Sequence, residues 1–112
     1  MWIVIKQLIW VVPLLVLAAV LEAGGDAGMR TGLKGNPIGF MLGALSLFAY
    51  GIVVNVPKWD FGRLLGVYIA IFFLVSQVIA VVAFKERPGA PVLVGGALII
   101  AGGAVLTFWQ PK

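Results

Sequence analysis

Residues 64–84 read LLGVYIAIFFLVSQVIAVVAF, a run of 21 residues without a charged side chain. An α-helix rises about 1.5 Å per residue, so this run reaches about 32 Å, which matches the hydrocarbon core of a bilayer. Lipid offers no partner to backbone N–H and C=O groups, and the run lacks the alternating pattern of a barrel strand. It therefore predicts a transmembrane α-helix.

Three more apolar runs, at 8–28, 38–56 and 91–109, contain 21, 19 and 19 residues. Each pair of neighbouring runs is separated by a short connection that contains charged residues together with Gly or Pro. Connections this short place neighbouring helices antiparallel. The sequence predicts an all-α membrane protein, with a single domain of four transmembrane helices over residues 1–112.

The composition excludes several classes of protein. Only 11% of the residues are charged and 62% are hydrophobic, whereas soluble domains have about a quarter of their residues charged, so a water-soluble monomer is excluded. The chain has no Cys or His and only four Asp or Glu residues, which excludes thiol chemistry, histidine acid–base catalysis and zinc or haem sites. We expect no enzymatic activity, no metal and no cofactor.

The eight Lys and Arg residues stand singly or in pairs between the apolar runs and form no basic stripe, so we expect no nucleic-acid partner. With four spans, each face of the membrane carries four cations, and the positive-inside rule then gives no preferred orientation. We predict insertion in both orientations and pairing of oppositely oriented copies. The alternative is that the free amino terminus or the lipid composition selects one orientation. The two sets are Lys6, Lys58, Arg63 and Lys112 on one face, and Arg30, Lys34, Lys85 and Arg87 on the other.

Two carboxylates, Glu22 and Asp26, lie in the first predicted span. An acidic side chain at the bilayer centre costs on the order of 3 kcal/mol, so it indicates a function by default. If Arg30 marks the interface, Glu22 lies roughly 12 Å deep and Asp26 roughly 6 Å deep. Asp26 has a local explanation, because Arg30 is one helical turn away and is able to pair with it.

Glu22 has no such partner on its own helix. It must either stay protonated or meet a cation in a water-filled cavity, and both make it a candidate proton and cation site. The alternative is a protonated side chain that only bonds a neighbouring helix. Tyr50, Tyr68 and Gln77 complete the candidate binding site, because they are polar groups at depth and Tyr68 offers an aromatic face to a cation. An interfacial tyrosine is the alternative for Tyr68.

The last run, at 91–109, carries no charge and is rich in small residues that permit close approach of helices. We favour a subunit interface here over packing within the chain. The predicted interface residues are Gly95, Gly96, Ala97, Ala101 and Gly102.

In the first run, Glu22, Gly25, Met29 and Arg30 follow the order of the membrane-embedded glutamate, glycine, methionine and terminal cation of the small multidrug resistance transporters. The chain resembles these transporters, and the related YnfA-type four-helix proteins of the drug/metabolite transporter superfamily, over nearly its whole length. Asp26 departs from the pattern, because the exporters usually have an uncharged residue there.

Two further stretches carry the resemblance. Residues 84–87, Phe-Lys-Glu-Arg, followed by Pro91, are similar to the junction between the last two helices across the superfamily. Gly62-Arg63 with Tyr68 is similar to the start of the third helix in the YnfA-type branch.

The resemblance implies an antiparallel homodimer in a bacterial inner membrane, surrounded by lipid. Two copies of Glu22 would share one chamber and alternately bind protons and a small cationic or guanidinium-like substrate. The implied function is proton-coupled export. Two alternatives remain open: a lipid-carrier flippase subunit, and a non-transporting membrane subunit that packs on a larger complex through its last helix.

Overall fold

The computed structural model describes residues 2–109, which form four α-helices and contain no strand. Each helix is long and apolar enough to cross a membrane, so the predicted all-α transmembrane fold is confirmed. Lys112, which the charge count included, lies outside the described residues. The helices are α1 (Trp2–Leu33), α2 (Pro37–Val54), α3 (Phe61–Phe84) and α4 (Ala90–Phe108).

Helix α1 is longer at both ends than the predicted span 8–28. Its 32 residues extend about 48 Å, so its ends project beyond the hydrocarbon core. Arg30 was expected in the first connection, but it lies in the last turn of α1, and the connection contains only residues 34–36. The reason is that none of residues 30–33 breaks a helix. Gly32 lowers helix stability by only about 1 kcal/mol relative to Ala, and it packs against the ring of Phe40.

The turn between α1 and α2 follows local signals in the sequence. Gly35 adopts a φ of 107°, which ends α1 at a conformation that favours glycine. Asn36 then caps α2, because its side chain accepts a hydrogen bond of 3.0 Å from the backbone N–H of Ile38. Pro37 follows at the first helical position, where its missing N–H is not needed.

The most extensive helix contact joins α1 to α2 through glycines. A Cβ atom on Gly43 would lie 2.8 Å from the carbonyl oxygen of Gly25 and 2.9 Å from the backbone nitrogen of Met29. A Cβ on Gly39 would lie 2.8 Å from the carbonyl oxygen of Gly28. The two backbones approach this closely only because the side chains are absent. The Gly-x-x-x-Gly spacing of residues 39 and 43 is a sequence signal for this contact that the sequence analysis did not use.

Helix α4 packs against α3. Gly96 lies against the ring of Phe73, and Gly103 lies against Ala70. Gly96, one of the five residues predicted at a subunit interface, thus belongs to a contact within the chain.

Arg63, at the start of α3, holds the end of α4. Its guanidinium donates hydrogen bonds to the carbonyl oxygens of Leu106, at 2.9 Å from Nε, and Thr107, at 3.2 Å from Nη2. It also lies 4.4 Å from the centre of the Trp59 ring. The last carbonyls of a helix have no partner within it, and a cation there is favoured by the helix dipole. Arg63 therefore sets the register between α3 and α4.

A small apolar core joins α1 to α3 and to the end of α2. Its α1 members include two alanines, Ala18 and Ala19, which let α3 approach the α1 backbone one turn before Glu22. The buried residues of this core are Val11, Leu15, Ala18, Ala19, Val54, Leu64, Val67 and Tyr68.

The α1–α2 contact predicts opposite effects for two substitutions in α2. Gly43→Ala forces the backbones apart, and we expect it to cost roughly 1–3 kcal/mol of packing free energy. Gly51→Ala is the matched control, because a Cβ at Gly51 meets nothing within 4 Å and alanine is the better helix former. Thermal unfolding in detergent, followed by tryptophan fluorescence, measures both. Equal stability of the two variants would contradict the close contact.

Candidate cation-binding site

The carboxylate of Glu22 on α1 meets the hydroxyl of Tyr68 on α3. Tyr68 donates a hydrogen bond of 2.7 Å from its hydroxyl to Oε1 of Glu22. Tyr68 is only 3% exposed, whereas Glu22 is half-buried. Tyr68 is thus a buried partner of the carboxylate.

Neighbouring contacts fix the position of both groups. Leu64 and Val67, on the turn of α3 before Tyr68, are buried in the core between α1 and α3. On the other side, Ser46 of α2 donates a hydrogen bond of 2.6 Å to the carbonyl oxygen of Leu21, the residue before Glu22. Helices α2 and α3 therefore both hold α1 at the level of the carboxylate.

Three aromatic rings stand together at this level. The ring of Tyr68 lies 5.6 Å from that of Tyr50 on α2 and 5.9 Å from that of Phe72, with the rings tilted by 38° and 37°. Aromatic faces attract cations, and a carboxylate beside them adds a full negative charge. The arrangement is suited to an organic cation.

A cleft of about 540 Å³ opens between the carboxyl-terminal halves of α1 and α3. Ala23 and Phe72 line its inner end, next to the Glu22–Tyr68 pair, while Lys34 and Glu86 line its outer end at the first and third connections. The cleft therefore extends from one face of the membrane towards Glu22. Its polar lining consists of Asp26, Arg30, Thr31, Lys34, Ser76 and Glu86.

Asp26 is exposed in this cleft, one helical turn outward from Glu22. Within residues 2–109, no nitrogen–oxygen contact of 4.0 Å or less joins it to Arg30, so the ion pair considered for these two residues is not formed. Such exposed pairs contribute only about 0.2–0.5 kcal/mol on a helix, so the sequence spacing does not enforce them. Asp26 is left facing the cleft.

The other predicted site residues lie at different places. Gln77 is half-buried on α3 but does not line the cleft. Around Gly95 and Gly102 of α4, a Cβ atom would meet nothing within 4 Å, and Ala97 and Ala101 are exposed. These four residues of α4 thus take no part in the close glycine contacts with α3.

Phe72, which packs on the ring of Tyr68 and lines the cleft, was not predicted from the sequence. Apolar residues in an apolar run carry no individual signal, but Phe72 lies four residues after Tyr68 and so shares a helix face with it. Ser46 was noticeable as one of the few polar groups at depth, although nothing in the sequence pairs it with the backbone of α1.

Comparison with known proteins places the chain among bacterial membrane proteins. It is 30% identical over 107 residues to a UPF0060 membrane protein of Herpetosiphon aurantiacus. The aligned residues cover 92% of this chain and 97% of the Herpetosiphon protein. It is 36% identical to a UPF0060 membrane protein of Rhodococcus erythropolis, over 85% of this chain and 91% of the other. A UPF0060 membrane protein of Mycolicibacterium gilvum is also 36% identical, and the aligned residues cover 88% of this chain and 94% of that protein.

No family model matches the chain, and no solved structure matches it significantly. The named relatives support the YnfA-type part of the resemblance, since UPF0060 is that family of small four-helix membrane proteins. Their coverage and identity, together with four helices able to span a membrane, identify a multi-pass integral membrane protein. The chain belongs to the UPF0060 family of membrane proteins.

Proposed function

We propose that the protein is a proton-coupled secondary transporter that exports a small cationic or guanidinium-like compound. The observation that carries this proposal is the carboxylate of Glu22, placed deep in a membrane span, bonded by Tyr68 and next to the inner end of a cleft. Carboxylates in membrane spans mark ion or proton pathways, because they are costly to keep without such a use.

Exchange follows from competition at one carboxylate. An organic cation binds the ionised form of Glu22, whereas a proton neutralises it and removes the attraction. The Tyr68 hydroxyl donates to the carboxylate and so stabilises the ionised form that the cation needs. Because the proton and the substrate exclude one another, movement of one towards one face of the membrane is coupled to movement of the other in the opposite direction.

We further propose that the working unit is an antiparallel homodimer. The equal cation counts on the two faces support insertion in both orientations, and the exposed Ala97 and Ala101, one helical turn apart on α4, offer small residues for contact with a second copy. Reporter fusions to the C-terminus test this arrangement, since it requires signals from both faces of the membrane.

The two alternative functions differ from this one in their use of Glu22. A subunit that only packs on a larger complex has no need of a carboxylate at the end of a cleft. A lipid-carrier flippase subunit would bind a phosphate-bearing lipid, so a small cation would not compete with protons at Glu22.

Cation-induced proton release tests the proposed function. We expect that adding guanidinium or tetraphenylphosphonium to the detergent-solubilised protein, in weakly buffered solution across a pH series, releases protons. Glu22→Gln keeps the shape but removes the titrating group, so it abolishes the release. Asp60→Asn is the control, because it removes a carboxylate at the start of α3, distant from the cleft. Release that persists in Glu22→Gln would refute Glu22 as the shared site.

The Tyr68–Glu22 bond gives a second test. Tyr68→Phe keeps the ring and removes the donor, so the ionised carboxylate loses stabilisation and cation binding weakens about tenfold or more at a fixed pH. Tyr50→Phe, which keeps a ring packed on Tyr68, should have a smaller effect. Calorimetric titration with guanidinium measures both variants, and equal weakening would contradict a specific role for the Tyr68 hydroxyl.

A further inference from the structure

Charged residues follow one another at a spacing of four from Glu22 to Lys34. Glu22, Asp26 and Arg30 share one side of α1, with successive residues about 6 Å apart along its axis, and Lys34 follows in the connection after α1. The last three line the cleft, and Glu22 adjoins its inner end. The charge along this wall changes from negative at the inner half to positive at the outer half.

The opposite wall of the cleft is mostly apolar. Phe72, Ile79 and Ala80 of α3 line it, and Phe72 also packs on the ring of Tyr68. Ser76 lies on the same wall and donates its hydroxyl to the carbonyl oxygen of Phe73 within α3. An apolar surface thus runs from the Glu22–Tyr68 pair along the cleft that Asp26 faces. The volume of about 540 Å³ lies in the range of small-molecule sites.

From this geometry we infer that the substrate is a linear dication with about four carbons between its cationic groups. One group binds Glu22, the other binds Asp26, and the apolar stem lies along Phe72. With bonds of about 1.5 Å, an extended four-carbon chain separates its terminal nitrogens by about 6 Å, which is similar to the helical rise between residues 22 and 26. The inference rests on the proposed function and makes Asp26 the residue that determines specificity.

The outer half of the cleft sets an upper limit on the length of the substrate. Arg30 lies about 12 Å from Glu22 along the helix axis. Lys34 and Glu86 lie farther out, so the outer half holds two cations and one carboxylate. A dication with eight carbons would place its second charge beside Arg30 and be repelled. An amine with one charge has no second cationic group for Asp26, so it lacks the additional contact that the four-carbon diamine makes.

Matched amines test the inference on the full-length protein in detergent. The probes are 1,4-diaminobutane with n-butylamine, and 1,8-diaminooctane with n-octylamine, measured by calorimetric titration and proton release. We expect 1,4-diaminobutane to bind at least tenfold more tightly than n-butylamine, because it gains a second charge-assisted contact. The eight-carbon diamine should gain less than threefold over n-octylamine.

Asp26→Asn is the deciding variant. It should bring 1,4-diaminobutane to within about threefold of n-butylamine, whereas Asp60→Asn keeps the tenfold preference. Asp26 is exposed, so its replacement is not expected to unfold the bundle. A wild-type protein without the preference, or a preference that survives Asp26→Asn, would overturn the inference while leaving Glu22-dependent proton release intact. If no amine binds while guanidinium still releases protons from the wild-type protein, the inference also fails and the proposed function stands. If n-butylamine or guanidinium still releases protons from Glu22→Gln, the proposed function itself fails.

Discussion

A carboxylate within a hydrophobic span needs a partner, and the hydrogen bond from Tyr68 to Glu22 provides it. Without a partner, such a group costs on the order of 3 kcal/mol in the bilayer centre. The other contacts of the fold serve to bring these two side chains together. Ala18 and Ala19 let α3 approach α1, and Ser46 bonds the α1 backbone beside Glu22.

The four helices contribute differently to the candidate site. Helices α1, α2 and α3 contribute the carboxylates and the aromatic rings, while α4 is attached to α3 through Gly96, Gly103 and the Arg63 cap. Large apolar side chains on α4, such as Leu98 at 70% exposure, face away from the rest of the chain. A helix held to one neighbour and exposed elsewhere fits a position against lipid or against a second copy of the chain.

Much of the fold was predictable because bilayer thickness constrains it. The length of the apolar runs alone predicted the four helices, and depth within the first run distinguished Glu22.

The extension of α1 was not predictable from hydropathy, since residues 30–33 are polar in part but still compatible with a helix. The ion pair considered between Asp26 and Arg30 is not formed, because a spacing of four residues permits an ion pair without requiring one. Phe72 was missed because its role depends on the packing of α3 against α1, which no single residue of an apolar run reveals.

The central claim is that a proton and a cation compete for Glu22. Difference infrared spectroscopy of the protein reconstituted in lipid tests it most directly, because the C=O band of a protonated carboxyl group is distinct from the bands of a carboxylate. On addition of guanidinium, we expect loss of the protonated carboxyl band and gain of carboxylate intensity in the wild-type protein. We expect neither change in Glu22→Gln. A wild-type spectrum without these changes, or the same changes in Glu22→Gln, would contradict it.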